Sequence, residues 1–139
     1  MTDISTAVAD IMTRNVLLAK PTYGFTEVAR LFSEVGIHHL PVVDDEQRLV
    51  GIISANDVMK AYSRQLSDLS AKRVEQLDED LKVADLMTSN PVYVSPATSL
   101  HKAAELFTKH GIQCLPVVEG ITVKGIITSR DLVRFFSEQ

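Results

Sequence analysis

Two seven-residue segments place the same chemically useful groups at the same spacing. Gly51-Ile52-Ile53-Ser54-Ala55-Asn56-Asp57 and Gly125-Ile126-Ile127-Thr128-Ser129-Arg130-Asp131 both run from an apolar stretch into a hydroxyl residue, with an aspartate three positions later. The pattern suits a strand that passes directly into a helix. At such a junction the Ser54 or Thr128 hydroxyl caps the helix, and first-turn backbone N–H groups can hold an anion. The hydroxyl proton stays free to donate to a phosphate oxygen. A carboxylate at Asp57 or Asp131 can accept two hydrogen bonds from neighbouring hydroxyls, as a ribose offers them. Gly51 and Gly125 permit close backbone approach. The same spacing is also that of a capping box, which needs only a helix to start. Duplication copies caps and binding sites alike, so spacing leaves both readings open.

The elements that must position these groups occur twice. Val8-Ala9-Asp10-Ile11-Met12-Thr13-Arg14-Asn15 matches Val83-Ala84-Asp85-Leu86-Met87-Thr88-Ser89-Asn90 at an offset of 75, with six of eight residues identical. Gly36-Ile37-His38-His39-Leu40-Pro41-Val42-Val43 matches Gly111-Ile112-Gln113-Cys114-Leu115-Pro116-Val117-Val118, again six of eight. The offset then drops to 74 between Val43 and Gly51, where Asp44-Asp45-Glu46-Gln47 reads as a surface turn that tolerates a length change. Each repeat predicts a helical turn (Val8 to Met12), a strand (Val16 to Leu18, copied at Val92 to Val94) and a helix from Phe25 to Val35. Val28, Ala29, Leu31, Phe32 and Val35 form that helix's apolar stripe, and Gly36 ends it. Strands Leu40–Val43 and Leu49–Ile53 and a second helix beginning at Asp57 follow. The fold class is mixed α/β: two β-α-β-β-α repeats at 8–62 and 83–136, expected to pack with pseudo-twofold symmetry as one module over 1–139. One repeat alone is marginal for a core. Residues 63–82 carry nine charges among 20 residues, with Leu66, Leu69, Val74, Leu77 and Leu81 near helical spacing. They predict an amphipathic linker helix prolonging the one that starts at Asp57.

Composition narrows the function. The chain has 139 residues, 45% hydrophobic and 23% charged, as a globular protein does. The net charge of -4 argues against a phosphate-backbone binder, so no nucleic acid is expected. No apolar run approaches a membrane span, and no secretory signal is expected from the start MTDISTAVAD. A single cysteine excludes an intrachain disulfide and suits a cytoplasmic setting. No phosphate loop, His-Glu-x-x-His, Cys-x-x-Cys or nucleophile elbow occurs, so no catalytic residues are assigned. His38 and His39 are adjacent on a strand and should point to opposite faces, so no metal site is assigned. Cys114 reads as a small buried hydrophobe or a redox thiol, and Phe135 and Phe136 as a cap on the core.

With these motifs in fixed order twice over, the chain resembles a tandem pair of cystathionine-β-synthase-type domains, the CBS pair or Bateman module. The resemblance implies a non-catalytic regulatory module. It would bind an adenosine-containing effector (AMP, ADP, ATP, S-adenosylmethionine or NAD) in a cleft between the repeats and signal occupancy to a regulated protein. It implies a homodimer and no required cofactor. Asp57 and Asp131 would hold the ribose. Ser54, Thr128, Asn56, Arg130 and His39 would approach the phosphate. Thr13, Val16, Ile37, Pro41, Thr88, Val92, Ile112 and Pro116 would form the adenine walls. A ligand-independent dimerisation scaffold is the alternative. The sites should differ: Arg130 is always charged, whereas an ordinary histidine titrates near 6.5. Affinity at the Asp57 site should therefore rise as pH falls from about 7.5 to 6.

Overall fold

A computed structural model describes residues 6–34, 36–66 and 74–139. They form two compact units, one within residues 17–90 and one of residues 6–16 with 91–139.

In the unit 17–90, helix α1 (Phe25–Glu34) buries Phe25, Val28 and Phe32, residues spaced to share one face. Strands β2 (His39–Val43) and β3 (Leu49–Ser54) pair antiparallel, with Leu40 opposite Ile53 and Val42 opposite Gly51. Asp44 holds the turn between them: its Oδ1 accepts from the amides of Glu46 and Arg48, and its Oδ2 from Arg48 Nε, each at 2.9 Å. Helix α2 (Ala55–Leu66) starts two residues before the expected Asp57. Helices α3 (Val74–Asp80) and α4 (Val83–Leu86) follow, and strand β4 (Thr88–Ser89) pairs with β3. Leu40, Ile53, Val28, Val42 and Val83 are fully buried in this core. Each such side chain contributes about 1.5–3 kcal/mol.

The other unit uses the same plan. A 3-10 turn (Val8–Asp10) precedes strand β1 (Thr13–Arg14). Helix α5 (Leu100–His110) is capped at its start by Ser99 and ended by Gly111, whose φ of 61° only glycine adopts freely. Strands β5 (Cys114–Glu119) and β6 (Thr122–Thr128) and helix α6 (Ser129–Ser137) complete it. The sheet order is β1-β6-β5, against β2-β3-β4 in the first unit. Leu100, Leu115, Ile127, Val8 and Val117 form the core. Phe135 packs against it, while Phe136 is exposed.

The structure departs from the sequence reading in three further places. Residues 8–16 of the first repeat join the unit built on the second repeat, because β1 pairs with β6. The strands expected at 16–18 and 92–94 are single bridges instead, Ala19 with Val42 and Val94 with Val117. Proline is the reason. Ala19 donates to Pro41 O and accepts from Val43 N, each at 2.9 Å. The next rung back would need an N–H on residue 41, which proline lacks, and Pro116 stops the copy beside Val94 in the same way. Finally, the linker helix expected to reach Lys82 ends at Asp80. Its Leu69 and the continuity from α2 lie outside the described residues, as does Val35 of the α1 stripe. Among the described residues no helix is long and apolar enough to cross a membrane.

Candidate functional site

Both strand–helix junctions form as the repeat requires. At the end of β3, Ser54 N donates to Asp57 Oδ2 at 2.8 Å and Asp57 N donates to Ser54 Oγ at 3.1 Å. At the end of β6, Thr128 N donates to Asp131 Oδ2 at 2.8 Å and Asp131 N to Thr128 Oγ1 at 3.1 Å. The capping box is thus real in both units. It still leaves a binding surface. Each carboxylate uses one oxygen on the cap, and Oδ1 takes no hydrogen bond among the described residues. Each hydroxyl accepts a bond and keeps its own proton to donate. All four side chains are half-buried and reachable.

The helix ends themselves are less open than the spacing suggested. Ala55 N donates to His38 O at 2.9 Å, and Ser129 N to Gln113 O at 3.0 Å. With the Asp57 and Asp131 amides also engaged, anion contact in the first turn falls to the exposed positions Asn56 and Arg130.

Across the hairpins, His39 stands opposite Ser54 and Cys114 opposite Thr128, so each shares a sheet face with the junction hydroxyl. Burial pushes the His39 pKa below its usual value. A charge on His38 adds to this, and the Asp57 carboxylate opposes it. His39 is therefore neutral at pH 7 unless an anion binds beside it. Burial, with the nearby Asp131 charge, pushes the Cys114 thiol up to about 12. That fits the buried-hydrophobe reading and removes the thiolate a redox sensor needs. Among the described residues no cluster of three or more His, Cys, Asp or Glu side chains could hold a metal.

Pairing sorts the remaining expected residues between the units. Thr88 lies opposite Ile52 on the sheet that carries Ser54 and Pro41, and Ile37 belongs to the same unit. Thr13 lies opposite Ile126 on the sheet that carries Thr128 and Pro116, and Val16, Val92 and Ile112 belong to the same unit. Thr13 and Thr88 are exposed, Val16, Ile37, Val92 and Ile112 are half-buried, and Pro41 and Pro116 are buried within the sheets.

The glycines serve a different purpose from the one expected. A Cβ on Gly125 would collide with Thr13 O and lie 3.3 Å from Met12 Sδ. One on Gly51 would collide with Met87 Sδ and stand 3.0 Å from Thr88 O. The close backbone is the chain's own. Each glycine seats the Met-Thr segment of the other sequence repeat, which single-sequence reasoning did not pair with it. Asn15 and Asn90, with φ of 55° and 50°, then turn the chain away after each two-residue strand.

Comparison with known proteins agrees with this architecture. The CBS domain profile matches residues 8–64 and 83–138. The structure superposes on a CBS domain pair solved in complex with 5′-methylthioadenosine and S-adenosyl-L-methionine, with a TM-score of 0.81 and 28% identity over 96% of this chain and 97% of that one. It matches CBSX2 of Arabidopsis thaliana in complex with AMP, with a TM-score of 0.77 and 30% identity over 95% and 96% of the two chains. A homoserine O-acetyltransferase of Methanohalobium evestigatum is 32% identical over 96% of this chain but only 24% of its own length. The chain spans between 24% and 43% of the first three curated relatives it matches. The chain belongs to the CBS domain family and carries the domain twice, as a tandem pair.

Proposed function

We propose that this CBS pair is a non-catalytic regulatory module that binds adenosine-containing ligands at its two strand–helix junctions. The observation that carries the reading is the spare carboxylate oxygen. In both units the aspartate satisfies the helix start with Oδ2 and keeps Oδ1 for a ligand. A ribose presents two adjacent hydroxyl donors to such an acceptor. The Ser54 and Thr128 hydroxyls donate toward the phosphate, with Asn56 and His39 beside the first and Arg130 beside the second. Thr88, Ile37 and Pro41 line one adenine position, and Thr13, Val16, Val92, Ile112 and Pro116 the other. Two similar CBS pairs are solved with AMP or with S-adenosyl-L-methionine and methylthioadenosine, which supports this ligand class. The match to a quarter of an acetyltransferase supports a role beside an enzyme, with occupancy changing the balance between two arrangements.

The module works as a homodimer. Met59 on α2 and Val133 on α6 stand at equivalent positions and are 62% and 66% exposed. One turn on, Tyr62 and Phe136 are 40% and 44% exposed. Such matched apolar pairs suit a partner surface. Sedimentation at micromolar concentration should show twice the 15.3 kDa chain mass, and a monomer alone contradicts this. A thermal-shift panel of AMP, ADP, ATP, NAD and S-adenosylmethionine tests the ligand class. At least one should raise the melting temperature, and none doing so at millimolar concentration would favour a ligand-independent scaffold.

A further inference from the structure

The two strand–helix junctions are built alike and charged differently. Their capping boxes repeat to the same distances, 2.8 and 3.1 Å, so each presents its spare carboxylate oxygen on the same scaffold. The charges around them are not repeated. Arg130 stands in the first turn of α6 where α2 has Asn56. Both are exposed, and Arg130 makes no hydrogen bond or ion pair among the described residues. Lys124, exposed on β6, takes the place of the half-buried Val50 on β3. Arg14, opposite Gly125, takes the place of Ser89, opposite Gly51. One turn beyond each aspartate the sign is the same, with Lys60 and Arg134. The residues opposite the junction hydroxyls carry no charge at neutral pH: burial keeps His39 neutral and Cys114 protonated. The Asp57 junction therefore offers a ligand one carboxylate and no permanent cation in its first turn. The Asp131 junction offers the same carboxylate with Arg130 beside it, and Lys124 lies about 13 Å back along the strand from Thr128.

We propose that the two sites divide adenosine ligands by charge: the Asp131 site takes those that carry a phosphate, and the Asp57 site takes those whose 5′ substituent has none. This rests on the ribose role proposed above for the two aspartates. At Asp131 a phosphate meets the Thr128 hydroxyl and a guanidinium, which is charged at every working pH and matches phosphate oxygens with two parallel N–H donors. Lys124 and Arg14 add a field that draws anions to this unit. At Asp57 the same phosphate meets only the Ser54 hydroxyl and the Asn56 amide, with a carboxylate close by. Its desolvation is then poorly compensated. An uncharged thioether in that place escapes the cost and gives up no ion pair.

AMP and 5′-methylthioadenosine share adenine and ribose and differ in the 5′ substituent, so the ratio of their affinities isolates the charge. Calorimetric titrations at pH 8 use the full chain carrying Asp57→Asn, which leaves the Asp131 site, or Asp131→Asn, which leaves the Asp57 site. The first should prefer AMP about tenfold or more, and the preference should narrow as salt is raised. The second should prefer methylthioadenosine. Exchanging the first-turn residues should move the preference with them. Arg130→Asn in the first background should bring the ratio to near parity, and Asn56→Arg in the second should turn it toward AMP. Equal ratios at the two sites, or ratios that ignore both exchanges, would overturn the division and leave the ribose reading standing. Binding of neither compound by the native chain or by either single-site chain would overturn the ribose reading and the division with it. The single-site titrations decide the question even if an exchanged chain fails to fold.

Discussion

Asparagine at position 57 separates the two roles this residue combines. In the native chain Asp57 Oδ2 takes the Ser54 amide at 2.8 Å while Oδ1 takes no hydrogen bond among the described residues. Asparagine keeps one carbonyl oxygen, which can take the Ser54 amide, and puts an NH₂ donor where the second acceptor stood. The cap therefore survives and the ribose acceptor does not. A lost charge-assisted hydrogen bond is worth about 1.5–3 kcal/mol, or roughly a 10- to 150-fold loss of affinity. Asp57→Ala removes both roles. It should show the same loss of affinity plus a cap penalty of about 0.5–2 kcal/mol, lowering the melting temperature by a few degrees. Calorimetric titration with AMP and S-adenosylmethionine, in an Asp131→Asn background so that one site remains, reads the affinity. Thermal melts read the cap. An asparagine protein that binds as tightly as its parent refutes the ribose role. One that melts as low as the alanine protein refutes the division between the two oxygens.

Three further outcomes follow from named contacts. Gly125→Ala should cost about 1–3 kcal/mol in urea unfolding, because its Cβ meets the Thr13 carbonyl, whereas Gly51→Ala should cost less because the flexible Met87 side chain can move; equal costs would argue against the backbone contact. Burial holds His39 below its usual pKa while the unfolded imidazole titrates near 6.5, so its contribution to stability is complete above that pH and is lost as pH falls through the folded value. His39→Gln should flatten that part of the stability curve, and acid-driven ligand gain at the Asp57 site should come at lower pH than an ordinary histidine would give. The Cys114 thiol, buried and pushed up to about 12, should resist iodoacetamide at pH 8 until the protein unfolds; rapid labelling of the folded chain would contradict its burial.

Much of the fold could be read from the repeat. The offset between Gly36–Val43 and Gly111–Val118, with its one-residue slip, located both hairpins and hence the two junctions. Ser54–Asp57 and Thr128–Asp131 were readable because a capping box has a fixed local spacing. Long-range pairing was not readable. Nothing in Met12-Thr13 announces that it lies on Gly125, since the contact joins residues more than a hundred positions apart. Pro41 was visible as a residue, but its effect depended on which edge of β2 faced Ala19. The cap on α1 was hidden for a related reason. Gly24 carries no capping side chain, and the acid that replaces it, Asp78, comes from a segment that reads only as a charged linker.

In the proposed function the spare oxygens of Asp57 and Asp131 hold an adenosine ligand. Titration calorimetry of the intact chain, beside the Asp57→Asn/Asp131→Asn double variant, tests it most directly. The native chain should bind at least one of AMP, ADP, ATP, NAD or S-adenosylmethionine saturably, and a double variant that melts normally should bind it at least tenfold more weakly. Native-like affinity in that variant, or no binding by the native chain at millimolar ligand, would contradict it.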